Sequence, residues 1–136
     1  VFTLSDKASD KEAAALARQE NSADLIGGPD LSAEDPEAAG ALVRMFQRES
    51  MNQSARFAAA ILQQIRDLPG GTKRGHRFAG FAVLKAPDMP SVLVEMGFLS
   101  NRKDEANLNK KSYRQDLSKR LTKAILVYLN EYGPKI

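Results

Sequence analysis

The chain has 136 residues, 43% of them hydrophobic and 27% charged, a length and balance that suit one globular domain with a real core. Its formal net charge of +3 is spread along the chain, without the dense basic stripe of a nucleic-acid binder. It has no cysteine, which excludes disulfides, a thiolate nucleophile and a cysteine zinc site, and no apolar run approaches the ~20 residues that span a membrane.

Residues 1–5 read as a strand with no leader-like segment before it, so the chain is expected to be a piece of a longer polypeptide. Ser9 and Glu12 have capping-box spacing and open a predicted helix that runs to about Ile26, where Gly27-Gly28-Pro29 stops it. A polar loop follows over 29–35. Asp35-Pro36-Glu37 then signals a second helix start, with an N-cap, a proline at the first position and an acid in the first turn. The helical pattern continues to Leu68. Ala58, Ile61, Leu62, Ile65 and Leu68 form an apolar stripe, and Ser50, Asn52 and Ser54 suggest a break near 50–53.

Leu68-Pro69-Gly70-Gly71-Thr72 reads as a turn. The apolar runs 80–85 and 91–95 predict two strands covered on both faces, joined by Ala86-Pro87-Asp88-Met89-Pro90, where two prolines forbid helix. Asn101 is a candidate cap for a short helix to about Leu108. Ser112 and Gln115 form another capping box. The last helix carries Tyr113, Leu117, Leu121, Ala124, Ile125, Tyr128 and Tyr132 on one face and ends at Gly133-Pro134. This order predicts an α/β fold with helices packed on a sheet.

Glu95 is the first candidate for chemistry. It ends the apolar segment Val92-Leu93-Val94, and α/β sheets place their sites at such strand ends. Partial burial there raises a carboxyl pKa towards the range useful for general acid–base work; the alternative is a charged strand end that merely meets solvent. Glu20 and Asp24 stand four apart, on one face of the first helix. A nearby cation would reverse their repulsion; otherwise they form a solvated edge neutralised by Arg18 and Lys11. His76, the single histidine, lies between Arg74 and Arg77 and reads as a surface residue whose pKa the arginines depress. The basic loop around it offers a weak contact for an anionic ligand.

Two motifs resemble a known family. Residues Glu20-Asn21-Ser22-Ala23-Asp24-Leu25-Ile26-Gly27-Gly28 form one, and the run from Ala79-Gly80-Phe81-Ala82-Val83-Leu84-Lys85-Ala86-Pro87-Asp88-Met89-Pro90 through Ser91-Val92-Leu93-Val94-Glu95-Met96-Gly97-Phe98-Leu99-Ser100-Asn101 forms the other. Together they resemble the C-terminal part of the catalytic domain of zinc-dependent N-acetylmuramoyl-L-alanine amidases of the cell-division type. The resemblance implies a three-layer α/β/α sandwich around a mixed sheet. It also implies hydrolysis of the amide between N-acetylmuramic acid and L-alanine in peptidoglycan, in the periplasm, with Glu95 matching the catalytic glutamate.

The family's zinc is held by two histidines and a glutamate, all upstream of the strand that opens this chain, so this stretch alone is expected to be inactive. The missing part is expected to supply central strands whose absence leaves a raw sheet edge. Residues from about 10 to 52 match an autoinhibitory insertion that an activator protein displaces, with Glu20 or Asp24 as the candidate ligand that caps the zinc. The contrasting expectation is a non-catalytic module that binds wall polymer or an activator.

Overall fold

Three short extended segments meet at Phe2 in this computed structural model, which describes residues 1–24, 37–69, 75–86 and 88–133, with the side chains of 23–24 and 37–43 excepted. Strand β1 (Phe2–Leu4) pairs in parallel with β2 (Arg77–Ala79), Phe2 opposite Arg77 and Leu4 opposite Ala79. On its other side Phe2 bridges antiparallel to Leu93, through Phe2 N–H to the Leu93 carbonyl at 2.8 Å and Leu93 N–H to the Phe2 carbonyl at 3.0 Å. Around these segments lie α1 (Lys11–Asp24), α2 (Glu37–Ile65), a 3-10 turn (Ala82–Leu84), α3 (Arg102–Asn109) and α4 (Lys111–Tyr132). The described part is therefore mainly helical around a small parallel pair, which is compatible with a piece of an α/β fold.

Strand alternation divides the core in two. Phe2, Leu4 and Leu93 join Ala13, Leu16 and Ala17 of α1, with Ala79, Phe81 and Leu84. Val1, Val92 and Val94 join Ile61, Ile65 and Leu68 with Leu117, Leu121 and Ala124 of α4. Small alanines let α1 approach β2 closely, and Phe2 meets Phe81 edge-on at 5.4 Å. In the second core Tyr128 stacks on Phe57 at 4.8 Å. Arg120 of α4 donates to the Gln64 carbonyl in the last turn of α2 at 2.9 Å, satisfying a group that the helix end leaves open.

Several expectations change. The run 80–85 is not a strand. The strand lies earlier, at Arg77–Ala79, and Ala82–Leu84 is a 3-10 turn that buries Leu84. The run 91–95 is extended but forms only the Leu93 bridge. Helix α1 is capped by Asp10, which accepts from Ala13 N–H at 2.9 Å, and not by Ser9, whose hydroxyl donates to Asp10 and accepts from Phe78 N–H. Helix α2 runs unbroken through 50–53. Helix α4 starts after Lys110 with no side-chain cap, so the Ser112–Gln115 box does not form.

On α4, Leu117, Ala124 and Tyr128 are buried and Tyr113 and Leu121 half-buried, but Ile125 and Tyr132 are 43% and 38% exposed. The expected stop at 27–29, the loop at 29–35, the helix start at Asp35-Pro36, residues 70–72 of the turn and Pro134 lie outside the described residues. Among the described residues no helix is long and apolar enough to cross a membrane.

Candidate active site

Glu95 stands two residues beyond Leu93, the residue that bridges to Phe2. It lines a cavity of about 490 Å3 at the edge of the second core, together with Val1, Ile65, Leu68, Val94, Tyr113 and Leu117. Burial pushes its pKa up, the Glu20 carboxylate pushes it up further, and the Val1 ammonium pulls the other way. A carboxyl held in this way binds a proton more readily than a solvated one, which suits it to take and return a proton.

The turn after Glu95 is built for close approach. Gly97 has φ +146°, and a Cβ there would sit 3.0 Å from Cβ of Asp104. The Asp104 carboxylate accepts from Phe98 N–H at 3.1 Å. Asn101 caps α3 as expected, accepting from Lys103 N–H at 3.0 Å and Asp104 N–H at 3.3 Å. Its own N–H donates to the Phe98 carbonyl at 2.9 Å. The glycine and the asparagine of the long motif thus fold the chain back and fix the direction in which Glu95 leaves the extended segment.

Helix α1 brings the short motif to the same place. Glu20 is half-buried and acts electrostatically on Glu95. Its neighbour Asn21 is the residue that the sequence reading missed. Its amide donates to the Gly80 carbonyl at 2.9 Å and accepts from Ala82 N–H at 2.8 Å. This two-way bond joins the motifs in space. The signal was present in the sequence: Asn21 continues the stripe of Ala13 and Ala17 at helical spacing, and a polar residue on a covered stripe needs partners. Asp24 is the last residue of α1, with its side chain outside those described.

His76 stays on the surface, its Nε2 2.8 Å from the Thr3 hydroxyl. Its pKa is lowered first by burial of the ring and then by the Val1 ammonium, which replaces the arginine effect expected from sequence. Arg77 is not part of a basic ligand loop. It is buried in β2, with its guanidinium paired to Asp10 and Glu12 and set over the Phe2 ring at 5.5 Å. That pairing holds the Asp10 carboxyl far below the usual range.

A zinc site needs three or four donors converging on one point. Glu95 is within electrostatic reach of Glu20, and among the described residues no group of three or more His, Cys, Asp or Glu converges. The described residues therefore do not by themselves fit a zinc ion.

The sequence profile described as N-acetylmuramoyl-L-alanine amidase matches residues 7–127. The chain is 36% identical over 129 residues to N-acetylmuramoyl-L-alanine amidase AmiC of Escherichia coli O6:H1, covering 94% of this chain and 31% of that protein. It is 34% identical over 131 residues to AmiC of Neisseria meningitidis serogroup B, covering 96% of this chain and 31% of that protein. With AmiA of Escherichia coli K12 it shares 30% identity over 131 residues, covering 96% of this chain and 45% of that protein. The chain thus spans a third to just under half the length of these relatives.

Proposed function

Because this chain belongs to the N-acetylmuramoyl-L-alanine amidase family, we propose that it forms the C-terminal part of a periplasmic catalytic domain that cleaves the bond between the muramic acid lactyl group and the first L-alanine of the peptidoglycan stem peptide during cell separation. The complete domain is a three-layer α/β/α sandwich, to which the two cores on either side of β1 contribute. The observation that carries this reading is Glu95 at the cavity edge, with its proton affinity raised by burial and by Glu20.

The carboxylate of Glu95 takes a proton from a water molecule as the water oxygen attacks the amide carbonyl. The C–N bond then breaks, and Glu95 returns the proton to the departing alanine nitrogen. The second proton of the water follows to the amine, so the products are a lactyl carboxylate and a stem-peptide ammonium. In the complete domain we assign a zinc ion to this site, with its main ligands outside the described residues; such an ion polarises an amide carbonyl.

Residues 10–52 act as an inhibitory element that an activator protein displaces. Glu20, near Glu95, is the described carboxylate best placed to occupy the site, with Asp24 as the second candidate. The test is Glu95→Ala and Glu95→Gln in the full-length protein, assayed on purified sacculi. Hydrolysis is expected to fall by about 10²–10⁴-fold with the circular dichroism spectrum unchanged. Retained hydrolysis in a folded variant removes Glu95 from the mechanism.

A further inference from the structure

Serines inside a helix are unfavourable unless their hydroxyls find work outside it. Helix α2 holds Ser50 and Ser54 a turn apart, 8% and 4% exposed, at the place where the sequence suggested a break. Ser54 donates to the Ser50 carbonyl at 2.7 Å and accepts from Ser91 N–H at 2.9 Å. Ser50 donates to the Met89 carbonyl at 2.8 Å, and the Ser91 hydroxyl reaches the same carbonyl at 3.1 Å. Pro90 between them has no N–H to offer, so the backbone here has one donor fewer of its own. The two serines clasp the chain immediately before the segment that ends in Glu95.

We infer that Ser54, supported by Ser50, is a positioning residue for Glu95, because its hydroxyl fixes Ser91 at one end of the extended segment while the Phe2 bridge fixes Leu93 further along. With both points held, the alternation of the segment is set: Val92 and Val94 enter the α2–α4 core, Leu93 enters the α1 core, and Glu95 reaches the cavity. A slip of one residue exchanges the faces of Val92, Leu93 and Val94 and moves Glu95 from its present place at the cavity. The same clasp ties the catalytic segment to α2, whose earlier part falls within the proposed inhibitory element. The inference rests on Glu95 being the general base.

The test compares Ser54→Ala, Ser54→Thr, Ser50→Ala and Glu95→Gln in the full-length protein. Ser54→Ala is expected to lower kcat by about tenfold or more, as small displacements of a reacting group do, with KM within about twofold of wild type. Ser54→Thr keeps a hydroxyl and is expected to restore most of the rate, and Ser50→Ala to show a smaller loss. The amide protons of Ser91 and Leu93, which bond the Ser54 hydroxyl and the Phe2 carbonyl, should exchange faster in Ser54→Ala than in wild type.

A folded Ser54→Ala with normal kcat and normal exchange overturns the clasp while Glu95→Gln remains inactive. If the wild type hydrolyses no amide, the functional reading fails, and exchange at Ser91 still decides whether Ser54 holds the segment. Should Ser54→Ala fail to fold, the decision passes to Ser50→Ala, where unchanged kcat and unchanged exchange overturn the proposal.

Discussion

Helix α1 is fastened at both ends to one stretch of chain, by different chemistry. At its start Asp10 caps the helix and holds the guanidinium of Arg77, which lies in β2. At its other end Asn21 bonds the Gly80 carbonyl and the Ala82 N–H, just beyond β2. One joint uses opposite charges and the other a neutral amide. The placement matters. A second guanidinium at this end of the helix would oppose the Glu20 charge that raises the Glu95 pKa. A neutral joint places Glu20 without pairing it, so the structural charge pair sits at one end of the helix and the carboxylate that acts on Glu95 near the other.

Breaking the charged joint is expected to have the larger effect on the fold. Arg77→Ala strips Asp10 of its partner and uncovers the Phe2 ring, and the melting temperature should fall by about 5 °C or more. Asp10→Asn separates charge from packing. The folded pKa of Asp10 is depressed by Arg77, so its contribution is fully present above the ordinary carboxylate value near ~3.9 and is lost as pH falls below that towards the folded value. The gap in melting temperature between wild type and Asp10→Asn should be constant at neutral pH and narrow in acid. A gap that persists undiminished in acid would show that the joint works through shape and not charge.

Breaking the neutral joint is expected to cost less stability and to disturb the site more. Asn21→Ala leaves the Ala82 N–H and the Gly80 carbonyl without these partners, a loss of about 1–2 kcal/mol. Asn21→Asp keeps the acceptor for Ala82 but not the donor, and should recover part of that loss in thermal unfolding. An Asn21→Ala protein as stable as wild type would mean that the two motifs are held together by packing alone.

The contrast also explains what was legible in the sequence. Periodic and local signals were read well: α1, α3 and α4 from their patterns, and the Asn101 cap from its position. The failures share a physical cause, a distant partner that overrules a local preference. Ser9 and Asp10 are both good caps, and Arg77 is the distant partner that Asp10 takes up. Ser50 and Ser54 weaken an isolated helix but are satisfied by Met89 and Ser91. The run from Gly80 to Leu84 is apolar enough for a strand. Asn21 instead takes its Gly80 carbonyl and Ala82 N–H, and the chain turns as a 3-10 segment that still buries Phe81 and Leu84.

The smallest expected effect sharpens the comparison most, because it asks what the neutral joint is for. Glu20→Gln keeps the shape and removes the charge. Burial, the larger cause, still holds the Glu95 pKa above its ordinary value, but the push from Glu20 is gone, so the pKa drops part of the way back. Hydrolysis that needs Glu95 as a base rises with pH through that pKa. The acid limb of kcat/KM should therefore move to lower pH in Glu20→Gln, with the neutral plateau kept or raised. If Glu20 also blocks the site, basal hydrolysis without an activator rises across the whole profile, and more so when Asp24→Asn is added. A limb that shifts with unchanged basal rate makes Glu20 a tuner of Glu95 and not a plug. A profile superimposable on wild type would mean that Asn21 places α1 for the fold and not for the site.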